Sequence, residues 1–140
     1  MNDLIAQGKE FRKVYGCLDG KTHRNLQKTL IDEEWSEFHE AFHFESEEEQ
    51  LKELGDLVYV CIQYALSQGW DLNEAMDRIH KSNMSKLGPD GKPVKRFDGK
   101  LIKGPNYQPP DLSDLVNKSE EDESYPIKDH IILTKAHNFE

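Results

Sequence analysis

Thr22 to Phe44, THRNLQKTLIDEEWSEFHEAFHF, decides how this chain folds. Its apolar residues Leu26, Leu30, Ile31, Trp35, Phe38, Ala41 and Phe42 recur at three- and four-residue intervals, the period of one broad helical face. At about 100° per residue they fill one half of a helical wheel, and Glu34 and Glu37 fall inside that half, with Glu33 at its edge. Acids that face a core are costly unless cations compensate them or they take up protons.

The next segment explains them. Ser46 with Glu49 three residues later is a capping box, which starts a helix that ends near Gly69. In it Glu53 lies between Val60 and Tyr64 on the apolar arc, and Asp56 stands at the edge beside Gln63. Residues three apart share a helical face, so Glu34 with Glu37 and Glu53 with Asp56 are two carboxylate pairs able to face one another. Such an all-oxygen cage holds a divalent cation, and oxygen donors favour Mg²⁺ or Mn²⁺ over zinc. Glu45, Glu47, Glu48 and Glu49 lie outside the pattern and read as a solvated face.

Outward from this pair, Leu4, Ile5, Phe11, Val14 and Tyr15 predict a first helix over residues 3–15, stopping near Gly16. Asp71 with Glu74 starts a fourth over 72–85, carrying Leu72, Ala75, Met76 and Ile79 inward. With helices over 22–44 and 47–68, these predict an all-α protein, a four- to five-helix bundle with short connections. After Lys86 the pairs Gly88-Pro89, Asp90-Gly91, Asp98-Gly99, Gly104-Pro105 and Pro109-Pro110 forbid helix and predict an irregular loop over 87–110. Val94 to Ile102 reads as a small hairpin with a two-residue turn at Asp98-Gly99, and Asp111 to Asn117 as one further helical turn. The expected domain spans residues 1–117. The tail, 118–140, is acidic at Ser119 to Ser124 and apolar at Ile131 to Leu133.

The net charge of −9 over 140 residues argues against a nucleic-acid binder, which must neutralise phosphates. Locally the balance differs: Lys81, Lys86, Lys92, Lys95, Arg96, Lys100 and Lys103 crowd one segment while the acids crowd 33–49, a polarity suited to a metal with a phosphorylated ligand. A chain of this size makes one domain whose pocket calls for a second copy, so a homo-oligomer is expected. Cys17 and Cys61 imply neither a disulfide framework nor a zinc knuckle, which points to the cytoplasm. The longest apolar run, Leu57 to Leu66, is too short to span a membrane.

A competing motif overlaps the acids. His39-Glu40-Ala41-Phe42-His43 satisfies H-E-x-x-H, in which two histidines hold zinc in metalloproteases. Both histidines point away from the apolar half of the wheel and no third ligand is evident downstream, so the protease is a remote alternative. His23, His80, His130 and His137 read as ordinary histidines.

Taken together, Glu33-Glu34-x-x-Glu37, Glu53-x-x-Asp56, the helix-end Asn83-Met84-Ser85-Lys86 and the Lys86 to Pro93 and Lys103 to Leu112 stretches resemble the MazG-like all-α nucleoside triphosphate pyrophosphohydrolases. That superfamily includes dimeric dUTPases and phosphoribosyl-ATP pyrophosphohydrolases, and the resemblance covers about residues 1 to 112. It implies a homodimer or homotetramer converting a (d)NTP to monophosphate and pyrophosphate, with a dNTP (dGTP, dUTP or dCTP) as the expected substrate. It makes Glu34, Glu37, Glu53 and Asp56 ligands to two or three Mg²⁺ or Mn²⁺ ions, and Glu33 either an outer ligand or the base that activates water, with Glu37 the other catalytic acid. Asn83, Lys86 and Lys103 become phosphate contacts, with Lys28 a further candidate. Two or three ions would neutralise a triphosphate and position water for in-line attack. The rival from another class is a non-catalytic helical oligomer that binds nucleotide or metal.

Overall fold

A computed structural model describes residues 3–116 of the chain. The protein is mostly helical, with four α-helices and a single small hairpin among the described residues. It separates into two compact units, one reaching to Trp70 and the other Asp71–Val116. The acidic and apolar stretches expected beyond residue 117 lie outside the described residues.

The first unit holds α1 (Leu4–Tyr15), α2 (Arg24–Phe44) and α3 (Glu47–Ser67). Asp3 caps α1 by accepting from the backbone of Ile5 and Ala6, and Gly16 closes it in the left-handed conformation at φ 64°. Helix α2 begins two residues after the expected start at Thr22. Lys21–His23 wind as a 3₁₀ turn instead, because no side chain caps α2 and Gly20, at φ 112°, is tied by its N–H to the Ser67 carbonyl at 2.7 Å. Only Glu45 and Ser46 separate α2 from α3, so the two helices form a tight antiparallel hairpin. Ser46 Oγ accepts from Glu49 N–H at 3.2 Å, as the capping box requires.

Packing within this unit runs along α3, which meets both α1 and α2. Leu26, Leu30 and Val60 form the buried cluster, with Ile31 against it. Two residues expected on that face depart from it: Trp35 is 55% and Phe42 60% exposed. The physical reason is width, since the apolar arc of α2 covers half its wheel and a single antiparallel partner covers less. Cys61, within an apolar run, is likewise exposed, and both cysteines are free thiols.

A polar network fastens α1 to α3. Arg12, buried, donates to Gln63 Oε1 at 3.0 Å, to Leu18 O at 2.6 Å and to Asp19 Oδ1 at 2.6 Å. Gln63 Nε2 donates back to the Gly8 carbonyl at 3.1 Å. Gly8 permits that approach, because a Cβ there would stand 2.9 Å from both Ile62 and Leu66 side-chain carbons.

In the second unit Asp71 caps α4 (Leu72–Met84) by accepting from Glu74 N–H. Along it Leu72, Ala75 and Ile79 are half-buried as expected, whereas Met76 is exposed. Beyond it comes the hairpin of β1 (Val94–Lys95) and β2 (Leu101–Ile102), paired Val94 to Ile102 and Lys95 to Leu101. Its turn has three residues rather than two. Arg96 N–H bonds the Lys100 carbonyl, Gly99 alone takes positive φ (90°), and Asp98 accepts from Lys100 N–H instead of adopting positive φ itself. The rest of the segment is held by backbone bonds such as Gly104 N–H to Lys86 O at 2.8 Å, and by Arg78, which spans Glu74, Asp111 O and Asp114. Ser113–Leu115 form a 3₁₀ turn where one more helical turn is expected.

Candidate metal centre

The hairpin of α2 and α3 brings three of the four expected ligands together. Glu34, Glu37 and Glu53 each offer a carboxylate oxygen, and these atoms lie within 4.8 Å of one another. The local sequence causes this: the two-residue turn sets the register, and the three-residue spacing turns Glu34 and Glu37 to the same side of α2. Glu34 is 6% exposed and the Glu53 side chain 12%, while Glu37 lies at the open edge.

The electrostatics are those of a site short of positive charge. The Glu37 carboxyl is held above its ordinary pKa, first by lost solvation and then by the charges of Glu53 and Glu34, with Asp56 adding to the rise and Lys52 opposing it. Glu53 Oε1 is buried with no hydrogen-bond partner. A buried carboxylate oxygen without a donor requires a counterpart, and in a ring of acids the fitting counterpart is a cation. Three hard oxygen donors of this kind fit Mg²⁺ or Mn²⁺ and suit zinc or copper poorly.

Asp56 does not join the three within that distance and is paired instead with a lysine. Lys52 Nζ contacts its Oδ2 at 2.9 Å and reaches Glu53 Oε2 at 3.6 Å, and the flanking acids push the ammonium well above the usual lysine range. Lys52 therefore serves as a built-in cation at the rim. Its side chain is 60% exposed, so it is able to swing away. Reading the sequence for acids overlooked Lys52, yet its i,i+4 relation to Asp56 was the available signal. It also overlooked Gln27, seven residues before Glu34 and so on the same side of α2, which is 5% exposed with Oε1 lacking a partner.

The other expected residues are placed as follows. Glu33 is half-buried on α2, beside the cluster in sequence. Lys28 is exposed and pairs with Asp32 at 2.8 Å. Asn83, Lys86 and Lys103 belong to the second unit: Asn83 is exposed at the end of α4, Lys86 is half-buried with its carbonyl bonded to Gly104, and Lys103 lies over the Tyr107 ring at 4.7 Å. His39 and His43 are exposed on α2, as the wheel predicts, and among the described residues no third metal-binding group joins them.

With this geometry in view, comparison with known families finds that a model described as phosphoribosyl-ATP pyrophosphohydrolase matches residues 13–83. The matched stretch includes both carboxylate pairs and ends at Asn83. Comparison with curated proteins gives no match.

Proposed function

Because the chain belongs to the phosphoribosyl-ATP pyrophosphohydrolase family, whose activity is hydrolysis of a phosphoric anhydride, we propose that it is a metal-dependent nucleoside triphosphate pyrophosphohydrolase releasing pyrophosphate and a nucleoside monophosphate. The observation that carries this reading is the convergence of Glu34, Glu37 and Glu53 around an unpartnered buried carboxylate oxygen.

Glu34, Glu37, Glu53 and Asp56 are the ligand set for two to three Mg²⁺ or Mn²⁺ ions, which when bound neutralise the triphosphate and its pyrophosphate leaving group. Glu34 and Glu53, the buried members, fix the floor of the site. Asp56, now paired with Lys52, would complete the ligand set once that exposed lysine turned outward. Glu33, or Glu37 at the open edge, accepts the proton of the water that attacks the α-phosphorus. By the family resemblance Asn83, Lys86 and Lys103 are the residues assigned to phosphate oxygens, with Lys28 a weaker candidate for the same role. The working species is a homodimer or homotetramer, consistent with apolar residues such as Trp35 and Phe42 left exposed on α2.

A dNTP (dGTP, dUTP or dCTP) is the first substrate to test, and phosphoribosyl-ATP, in the family's own description, is the second. The test incubates the purified chain with each in Mg²⁺ or Mn²⁺ and resolves monophosphate, pyrophosphate and orthophosphate. Pyrophosphate from one preferred compound, lost by about 10²-fold or more in Glu37→Gln and in Asp56→Asn, is the expected result. Tight nucleotide binding without turnover of any compound would replace the enzyme by the non-catalytic oligomer.

A further inference from the structure

The carboxylate reading leaves His39 and His43 unused. They stand one turn apart on the outer side of α2, with ring centroids 4.6 Å apart and planes at 67°. Both residues are exposed, and among the described residues no hydrogen bond or ion pair engages either ring. Aromatic side chains wall the pair: His39 lies 6.2 Å from the Trp35 ring, and His43 lies 5.0 Å from Phe42 and 6.0 Å from Phe44.

A centroid separation of this size fits two imidazoles turned toward one ion. Zinc-type ions sit about 2.0–2.1 Å from an imidazole nitrogen, which places the centroids of two rings on one ion roughly 4.5–5.2 Å apart for bond angles from 90° to tetrahedral. The 4.6 Å observed falls within this window with no change in the helix. Imidazole nitrogen is a borderline donor, preferred by Zn²⁺, Ni²⁺ and Cu²⁺ and poorly suited to Mg²⁺. Two unlike donor sets thus occupy opposite sides of one helix.

We propose that His39 and His43 form a second metal site, a two-imidazole chelate for a borderline divalent ion, separate from the carboxylate cluster and selective against Mg²⁺. Two protein ligands leave the remaining positions to water, which makes the site open and exchangeable rather than structural. Bound ion cross-links the last two turns of α2 and so favours their helical form, raising thermal stability by linkage. Nothing in this site depends on the identity of the nucleotide substrate.

The test titrates the full chain with Ni²⁺ by calorimetry, with Mg²⁺ saturating the carboxylates, and follows quenching of tryptophan fluorescence in parallel, with Trp70→Phe isolating the signal of Trp35. One saturable ion per chain is expected, with affinity reduced at least tenfold in His39→Ala and in His43→Ala and unchanged in Glu53→Gln. A variant carrying His43→Ala with Phe44→His keeps two imidazoles but moves one off the shared face; it should bind as weakly as the single deletions. Circular dichroism verifies that each exposed-site variant remains folded. Absence of binding in the natural chain, equal binding in the histidine variants, or loss of binding in Glu53→Gln would each overturn the proposal.

Discussion

Glu53→Gln should stabilise the metal-free protein while removing most of its response to Mg²⁺. With the three carboxylates within 4.8 Å, two full charges at that distance repel by roughly 3.5 kcal/mol at an effective dielectric constant of 20. Two effects reduce the relief on neutralising Glu53. Glu37 is exposed, so solvent screens its charge. The lost contact with Lys52 is loose at 3.6 Å and 60% exposed on the lysine side, and such pairs contribute at most about 1 kcal/mol. The net gain is then about 1–2 kcal/mol, or a rise in Tm on the order of 5 °C for a unit of this size. In Mg²⁺ the order reverses: an ion present at a hundred times its Kd stabilises the natural chain by about 2.7 kcal/mol, and the variant should recover less than half of that. Scanning calorimetry in chelator and in Mg²⁺ measures both quantities. A variant that melts below the natural chain in chelator, or gains as much from Mg²⁺, would refute the argument that the cluster is a cation site held under repulsion.

Three further outcomes follow from other parts of the molecule. A carboxyl whose pKa is higher in the folded chain than in the unfolded one binds its proton more tightly when folded, so Glu37 contributes stability at low pH that is lost as pH rises through its raised value; urea midpoints in chelator should fall across that interval, and Glu37→Gln should flatten the trend. Gln63→Leu removes an acceptor from buried Arg12 and a donor from the Gly8 carbonyl, and should cost about 2–4 kcal/mol in urea unfolding at two orphaned groups, whereas an unchanged midpoint would mean the network is idle. Gly104→Ala puts a Cβ 2.5 Å from the Leu87 carbonyl oxygen, and the resulting backbone shift should cost about 1–3 kcal/mol, visible as local loss of amide protection around Lys86.

Helix starts were legible wherever a short polar side chain performs a local task, as Ser46 and Asp71 do, because a cap is satisfied within four residues. The carboxylates were legible for a related reason: an acid inside an apolar period contradicts its neighbours, and Glu34 and Glu53 resolve the contradiction by facing one another across the hairpin. What depended on surroundings was not legible. The exposure of Trp35 and Phe42 is set by how much of α2 another surface covers, which periodicity cannot measure. Gln63 stands inside the apolar run Leu57 to Leu66, and its role appears only once Arg12, far away in sequence, comes to meet it. The hairpin turn was placed correctly at Asp98-Gly99 but its length was not, since Asp98 satisfies Lys100 N–H through its side chain without needing positive φ.

The two-residue link between α2 and α3 has a kinetic meaning as well as a geometric one. Sites assembled from distant strands wait for long loops to close, and the entropy of closure slows them. Here Glu34, Glu37 and Glu53 lie on adjoining arms of a single helical hairpin, so the cluster exists as soon as that hairpin zips. Repulsion among the acids consequently opposes one of the most local events in folding, and a cation that relieves it acts on the rate at which the hairpin forms as well as on the stability of the finished chain.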